Sequence, residues 1–357
     1  MADEATEPVE DADDTPRGVT IDDVAAAAHV STATVSRVMN NRPVVAAETR
    51  ERVLAAIERL RFRPSSLGRN LATRRTGAIG LVIADITNPF YPEVVRGVEQ
   101  TAASYGTSVL LYDTAEDSER EAQALRLLGE RHVDGMIICA SRLPPERIAL
   151  IARPAVPLVL INRQLTPPSL GTVDVDQEAG VRAAMAHLIA LGHRRIAYLG
   201  GPPASQVQQR RLAAFRAACA DAGLPPAGVI GVTATPTIVG GKDAARALLR
   251  GRPGRRPTAV LAYNDLMAIG ILMAAHEASV TVPDHLSIVG HDDIPMAAAL
   301  HPALTTVRQP MRELGVRAVR LLYGDHGERT AHDAQDAPTL IRLQPQLVAR
   351  ASTAPPA

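Results

Sequence analysis

The chain has 357 residues, a length that indicates roughly two or three domains. Hydrophobic residues make up 46% of the sequence and charged residues 21%, which is ordinary for a globular protein with a sizeable core. No run of about 18 uncharged apolar residues occurs, so a membrane span is not expected. The two cysteines, Cys139 and Cys219, are too few for a disulfide framework, and the sequence therefore favours a cytoplasmic protein.

The net charge of zero hides a segregation along the chain. Residues 1–17 carry seven acidic residues and one arginine, whereas residues 18–75 carry ten arginines and five acidic residues. The first segment has no apolar stretch, so it is predicted to be a disordered acidic tail and not a signal peptide. A basic block beside a neutral body is typical of a nucleic-acid-binding module, although charge alone also allows a chance surface patch.

Residues 18–62 predict three short helices. Thr20 and Asp23 have the spacing of a capping box at the start of the first helix. Ser31 is expected to cap a second helix over Thr32–Met39, and a third is expected over Ala47–Leu60. The core face of the third helix is predicted to consist of Val53, Leu54, Ile57 and Leu60. Two short helices joined by a tight turn, with an arginine projecting from the second, predict an all-α helix-turn-helix domain that binds DNA.

This segment closely resembles the headpiece of the LacI/GalR family of bacterial repressors. The resemblance covers Val19–Asn40 (VTIDDVAAAAHVSTATVSRVMN), continues at Thr49–Val53 and Arg63–Ser65, and extends through Arg350. Two positions depart from the family pattern. His29 stands where members often have Gly or Asn, at a turn position that can need a positive φ. Ala46 stands where a serine usually caps the third helix, so we expect that helix to lack a side-chain cap.

The resemblance implies which residues contact DNA. Base edges are read by Thr32, Ala33 and Arg37, since an arginine can bind guanine through two hydrogen bonds and a methyl group can meet the thymine methyl. Contacts to phosphates, which fix the register without reading sequence, are implied at Thr20, Ser31, Thr34, Ser36, Asn40 and Thr49. The alternative for each hydroxyl is a helix cap, and Thr20 and Ser31 are expected to do both.

Residues 63–76 are expected to form a hinge helix and linker. By the resemblance, Leu71 inserts into the minor groove at the centre of the operator, where an apolar side chain kinks the duplex. Arg69 is expected to contact a phosphate. The alternative for Leu71 is packing against the body of the protein.

From residue 77 the pattern changes to short apolar strands that alternate with helices, which predicts α/β lobes with parallel sheets. The resemblance implies a periplasmic-binding-protein-like body over residues 77–350, with a ligand between two lobes. The N-lobe is predicted to consist of residues 77–176 and 307–337, and the C-lobe of residues 177–306 and 338–350. Residues 351–357 are predicted to be a disordered tail.

Ligands bind at the carboxyl ends of parallel strands, and the candidate effector-binding residues follow predicted strands. These residues are Phe90, Tyr91, Asn162, Arg211, Asp265 and Asp292. Arg211 supplies a guanidinium that can grip a hydroxyl pair or an anion. The alternative for the two aromatic residues is packing under their loop, and Asp265 fits a helix N-cap equally well.

The sequence thus predicts a repressor that binds a pseudo-palindromic operator as a homodimer at the nucleoid and answers to a small molecule. A sugar is favoured, because purine-binding members carry Arg, Thr and an aromatic residue where this chain has Ser205, Val207 and Pro236. A nucleoside or another metabolite is the alternative. A solute-binding protein or an enzyme on the same fold is disfavoured by the headpiece and by the lack of phosphate-loop, HExxH and GxSxG motifs. No cofactor and no metal are predicted, and the loop with His326 and His332 is expected to be solvated.

Overall fold

We describe the protein from a computed structural model. It describes residues 19–39, 44–62, 76–131, 133–151, 156–165, 171–225, 229–230, 234–250, 256–324 and 339–357. The chain divides into two compact units, Met1–Arg74 and Arg75–Ala357, and each has hydrophobic core residues of its own. Within these described ranges, no helix is long and apolar enough to cross a membrane.

The first unit contains the helices α1 (Ile21–Ala28), α2 (Thr32–Met39) and α3 (Ala47–Arg59). Local hydrogen bonds set where the first two helices begin. At the start of α1, the Asp23 amide donates to the Thr20 hydroxyl at 3.3 Å, and the Thr20 amide donates to the Asp23 carboxylate at 2.7 Å. The Thr34 amide donates to the Ser31 hydroxyl at 3.2 Å, which caps α2. His29 ends α1 with a φ of 53°, in the left-handed region that its place in the turn predicts.

The core of the first unit lies between the three helices and includes Val24, Val35, Val38, Val53, Ala56 and Phe62. Leu54 was expected in this core, and that prediction was wrong, because its side chain is 51% exposed. Successive residues of an α-helix are rotated by about 100° around its axis. The face of α3 that buries Val53 and Ala56 therefore turns Leu54 toward solvent.

Helix α3 begins without a side-chain cap, since Ala46 makes no capping hydrogen bond. We expect Ala46→Ser to stabilise the start of this helix by about 1 kcal/mol, because a serine hydroxyl accepts from one of the free backbone amides there. Hydrogen exchange of the α3 amides in the full chain measures the effect as roughly five-fold slower exchange. Ala47→Ser, one position later, is the matched control. Equal exchange rates in the two variants would contradict the prediction.

Among the described residues, the second unit contains two six-stranded sheets, one in each lobe. The first sheet has the order β11-β5-β4-β3-β1-β2 and consists of β1 (Ala78–Ile83), β2 (Ser108–Asp113), β3 (Gly135–Cys139), β4 (Leu158–Ile161), β5 (Gly171–Val175) and β11 (Thr339–Leu343). The second has the order β12-β10-β9-β8-β6-β7 and consists of β6 (Ile196–Leu199), β7 (Val229–Ile230), β8 (Ala259–Ala262), β9 (Ser287–Asp292), β10 (Thr305–Arg308) and β12 (Gln346–Val348). Neighbouring strands are parallel, except that β12 runs antiparallel to β10.

Helices cover both sheets, which confirms the predicted α/β architecture. The first sheet packs against α4 (Phe90–Ser104), α5 (Ser118–Glu130), α6 (Pro145–Ile151) and α12 (Met311–Tyr323). The second packs against α7 (Gln177–Ala190), α8 (Gln206–Asp221), α9 (Ile238–Leu249), α10 (Asp265–Glu277) and α11 (Pro295–Ala299).

Two details of the predicted domain boundaries were wrong. Residues 338–350 were assigned to the C-lobe, but β11 pairs with β5 in the first sheet, from Thr339 opposite Gly171 to Leu343 opposite Val175. Within residues 338–350, the chain thus crosses to the second sheet only between β11 and β12.

The predicted disordered tail, residues 351–357, is ordered. Ser352 is fully buried, its hydroxyl donates to the Ile288 carbonyl at 2.6 Å, and its carbonyl accepts from the Ile288 amide at 2.8 Å. The Thr305 amide donates to the same hydroxyl at 2.8 Å. These bonds to β9 and β10 come from distant parts of the chain, so the Ala- and Pro-rich composition of the segment did not indicate them.

Candidate functional site

Helix α2 presents one polar face to solvent. Thr32, Ala33 and Arg37 are exposed, whereas Val35 and Val38 are buried against the other helices. Because the buried positions fix the rotation of the helix, the three predicted base-reading side chains project away from the core. An exposed polar face backed by a packed core suits a helix that enters the major groove of DNA.

Two of the predicted phosphate-contacting hydroxyls lie together at the start of α2. Ser31 and Thr34 lie 3.0 Å apart through their hydroxyl oxygens, and Ser31 also caps α2. Thr20 caps α1, and Ser36 and Thr49 are half-buried. The cap alternative is therefore realised at Thr20 and Ser31. The remaining predicted DNA contacts, Asn40, Arg69 and Leu71, lie outside the described residues.

A cleft of about 380 Å³, part of it open to solvent, lies between the two lobes of the second unit. The carboxyl ends of strands from both sheets meet there, as in other open α/β folds. Five of the six predicted effector residues line it, namely Phe90, Tyr91, Asn162, Arg211 and Asp292. The other lining residues are Asn88, Glu116, Ala140, Arg142, Val207, Pro236, Tyr263, Asn264 and Gln309.

Arg211 projects from α8 into the cleft and is held by neighbours in the second unit. Its Nε donates to Gln177 Oε1 at 2.8 Å, and its Nη1 donates to the Tyr263 carbonyl. The guanidinium carbon lies 5.1 Å from the centroid of the Tyr263 ring, within the range of a cation–π contact. These contacts leave Arg211 only 3% exposed and preorganised to donate to a ligand.

Asp292 ends β9 and is the buried carboxylate of the cleft, with an exposed fraction of 4%. Its Oδ1 accepts from Gln309 Nε2 at 2.6 Å. Burial raises the pKa of Asp292 above the usual range of a carboxyl, while the positive charge of Arg211 opposes that rise. The residue has a φ of 132°, which is unusual for a side chain with a Cβ and is typical of a functional position.

Asn162 and the aromatic pair stand on the first lobe. The Asn162 side-chain oxygen accepts from the Val175 amide at 3.1 Å, so its amino group is the end available to the cleft. Phe90 and Tyr91 pack edge to face with ring centroids 5.1 Å apart, and each is 5% exposed. Both rings are therefore packed, as the alternative prediction stated, and both residues also line the cleft.

Sequence reasoning missed an ion pair at this site, between Glu116 and Arg142. Arg142 Nε and Nη2 donate to the two Glu116 oxygens at 2.6 Å and 2.9 Å, and Nη1 donates to the Ala140 carbonyl at 2.7 Å. Both residues follow apolar strands, and their position directly after a strand is the sequence signal that could have identified them. With Arg211 and Asp292, the cleft holds two arginines and two carboxylates, so the formal charges of its lining cancel.

Asp265 does not line the cleft, which corrects its prediction as an effector residue. Its carboxylate is buried, accepting from the Ile294 amide at 2.9 Å and from the Thr306 hydroxyl at 2.5 Å. The cap of α10 is the preceding residue, since Asn264 Oδ1 accepts from the Met267 amide at 2.9 Å. Asp265 therefore ties α10 to the second sheet, and neither predicted role applies to it.

An exposed recognition helix in one unit and a polar cleft between α/β lobes in the other define a DNA-binding regulator that carries a small-molecule-binding domain. Residues 20–65 match the model of bacterial regulatory proteins of the lacI family, and residues 185–353 match that of a periplasmic binding protein-like domain. The chain is 38% identical over 303 residues to the ribose operon repressor of Halalkalibacterium halodurans, covering 85% of this chain and 89% of that protein.

Two solved structures are similar over most of the chain. The Lac repressor dimer bound to operator and the anti-inducer ONPF has a TM-score of 0.82 at 29% identity, covering 95% of this chain and 100% of that one. The LacI family transcriptional regulator of Enterococcus faecium with bound ribose has a TM-score of 0.68 at 29% identity, covering 78% of this chain and 99% of that one. The chain belongs to the lacI family of bacterial regulatory proteins, as its resemblance predicted. The relatives named here are transcriptional regulators.

Proposed function

We propose that the protein is a homodimeric repressor that binds a pseudo-palindromic operator through α2 and changes its operator affinity when a neutral sugar fills the cleft. The observation that carries this proposal is the pairing of an exposed recognition helix with a polar cleft between two α/β lobes in one chain. We propose that, as an operator-binding protein, it acts in the cytoplasm at the nucleoid.

The chemistry of the cleft favours a sugar. A sugar hydroxyl both donates and accepts, and the cleft offers an acceptor at Asp292 and donors at Arg211 and Asn162.

The similarity to a ribose-bound relative makes D-ribose the first probe. We expect D-ribose to raise the melting temperature of the protein in a panel that also contains a disaccharide and adenosine, because a ligand that binds only the folded state stabilises it. A shift with adenosine alone would favour the nucleoside alternative.

An apolar surface on the second lobe supports a dimer. It is lined largely by the end of α10 and the segments that follow α10 and α11, including Ile269, Leu272, Met273, Val280, Val282 and Leu300. Met273 is 44% exposed, and an apolar patch bordered by polar residues, here His276 and Glu277, is typical of a subunit interface. A structural neighbour is a Lac repressor dimer, and two-fold symmetry matches a pseudo-palindromic operator.

On DNA, we assign base reading to Thr32, Ala33 and Arg37. We assign phosphate contacts to Thr20, Ser31, Thr34, Ser36 and Thr49, of which Ser31, Thr34 and Ser36 lie on α2 or directly before it. Asn40 and Arg69 are proposed to contact phosphates, and Leu71 is proposed to insert into the minor groove. These three assignments rest on the family resemblance alone.

Arg37→Ala tests base reading. Loss of a bidentate contact is expected to cost about 1–3 kcal/mol at one base pair and to relax the preference there, while other positions keep theirs. Selection from a pool of random duplexes, with wild type and variant in parallel, measures this. Arg52→Ala removes the same charge from an exposed position on α3 and should leave base preferences unchanged. A uniform loss of affinity over all sequences in Arg37→Ala would assign Arg37 to a phosphate instead.

A further inference from the structure

Helix α8 presents two adjacent pairs of residues to different neighbours. Val207 and Arg211 line the cleft, whereas Gln206 and Arg210 contact the first lobe. Residues four apart share a face of a helix, so each pair acts as a unit. Any movement of α8 away from the first lobe therefore disturbs the cleft as well.

Gln206 bonds to the loop that follows β4. The Gln164 amide donates to Gln206 Oε1 at 2.8 Å, and Gln206 Nε2 donates back to the Gln164 carbonyl at 3.4 Å. Gln164 belongs to the first lobe and Gln206 to the second, so these bonds exist only while the lobes are together.

Arg210 makes the second link between the lobes. Its Nη1 donates to Asp174 Oδ2 on β5, and Gln164 Nε2 donates to the same oxygen at 3.1 Å. Its Nε and Nη2 donate to the two oxygens of Glu178 on α7, at 2.9 Å and 3.0 Å. The hydrogen bonds from Arg210 lower the pKa of Glu178 to about 2. Arg210 thus joins a carboxylate of each lobe.

The burial of Asp174 determines how strongly the loss of Arg210 would destabilise the arrangement in which the two lobes are in contact. Its side chain is fully buried, and its second oxygen has no hydrogen-bond partner among the described residues. A buried carboxylate that loses its cationic partner is strongly destabilised. Without Arg210, the lobe arrangement that buries Asp174 is disfavoured relative to one that exposes it to water.

We propose that Arg210 and Gln206 are positioning residues of the ligand site, which fasten α8 to the first lobe and thereby hold Arg211 and Val207 in the cleft. The proposal rests on the proposed function. The complete cleft exists only in the closed lobe arrangement, so the apparent ligand affinity is reduced by the fraction of molecules that are open. Loss of the Arg210 contacts lowers the closed fraction without removing any group that lines the cleft.

The first experiment needs no ligand. Hydrogen exchange in the segment 156–165 reports the Gln164 amide, which donates across the lobes. We expect at least a roughly five-fold faster exchange of this amide in Arg210→Ala and in Gln206→Ala than in the wild type. Arg216→Ala, an exposed arginine on the same helix, is the matched control and should exchange like the wild type. Gln206→Ala leaves both carboxylates paired, so it remains informative if Arg210→Ala folds poorly.

The second experiment measures the Kd of D-ribose by calorimetry. We expect Arg210→Ala to weaken binding about ten-fold or more, and Arg210→Ala combined with Asp174→Asn to recover part of the loss, because the buried charge is then absent. Unchanged exchange of Gln164 in both single variants overturns the proposal, as does faster exchange with an unchanged Kd. If the wild type binds no sugar, the sugar proposal fails, and the exchange result alone decides whether the contacts hold the lobes together.

Discussion

Replacing Arg211 with methionine is expected to weaken the binding of D-ribose by roughly 100-fold or more. The residue is 3% exposed and is held by Gln177 and by the Tyr263 carbonyl, so its guanidinium is fixed where it lines the cleft. Removing one partner of a buried polar cluster commonly costs about 3–5 kcal/mol, and part of that cost here is the loss of attraction on Asp292. Calorimetric titration with D-ribose measures the effect.

The same substitution is expected to leave operator preference intact. The headpiece is a separate unit with its own core, and Arg211 belongs to the other unit. Arg211→Lys should also bind poorly, since an ammonium cannot reproduce the planar pair of contacts that a guanidinium makes. Arg216→Ala is the control for a charge lost from the same helix. A Kd for Arg211→Met within three-fold of the wild-type value would remove Arg211 from the ligand site.

Asp292→Asn is expected to stabilise the protein at pH 8 and to weaken D-ribose binding by about ten-fold. Burial raises the pKa of Asp292 in the folded state, against the attraction of Arg211. A carboxyl whose pKa is raised on folding contributes stability that is fully present below its unfolded pKa, about 3.9, and is lost as the pH rises through the folded value. Above that value the wild type holds a buried charge, whereas asparagine keeps the acceptor for Gln309 without one.

Thermal unfolding measured from pH 5 to pH 9 tests whether the stability difference between Asp292→Asn and the wild type grows with pH. We expect the variant to melt a few degrees above the wild type at the alkaline end, for a gain of about 1–2 kcal/mol, with the difference shrinking toward pH 5. Burial also raises the pKa of Asp265, which is present in both proteins, so a smaller pH dependence of the same sign should remain in the variant. Two melting curves that fall in parallel over the whole range would contradict the assignment of the buried charge to Asp292.

The parts of the fold that depend on short stretches of sequence were predictable. The capping box of Thr20 and Asp23 and the bounds of α2 agree with the pattern of caps and apolar runs. Each is decided by residues a few positions apart, which a local pattern contains. The cleft could be located for the same reason, because its residues follow strands that the pattern identifies.

The remaining features depend on pairings between distant residues. The sheet that β11 joins is set by its partner β5, which lies more than 150 residues earlier in the chain. Glu116 and Arg142 become partners only when the ends of β2 and β3 are brought to one edge of the sheet. The cap of α10 is Asn264, whereas the carboxylate that accepts from the Thr306 hydroxyl belongs to Asp265, one residue later. No periodicity or spacing in the sequence carries that information.

The central claim is that one chain couples sequence-specific DNA binding to occupancy of the cleft. The most direct test titrates the duplex selected by the wild type with the purified protein, with and without saturating D-ribose, and repeats both titrations with Arg211→Met. We predict that ribose changes the Kd for the selected duplex in the wild type by roughly ten-fold, within the usual range of coupling between two sites, and leaves the variant unchanged. Failure to select any duplex sequence, or a ribose response that persists in Arg211→Met, would contradict the account.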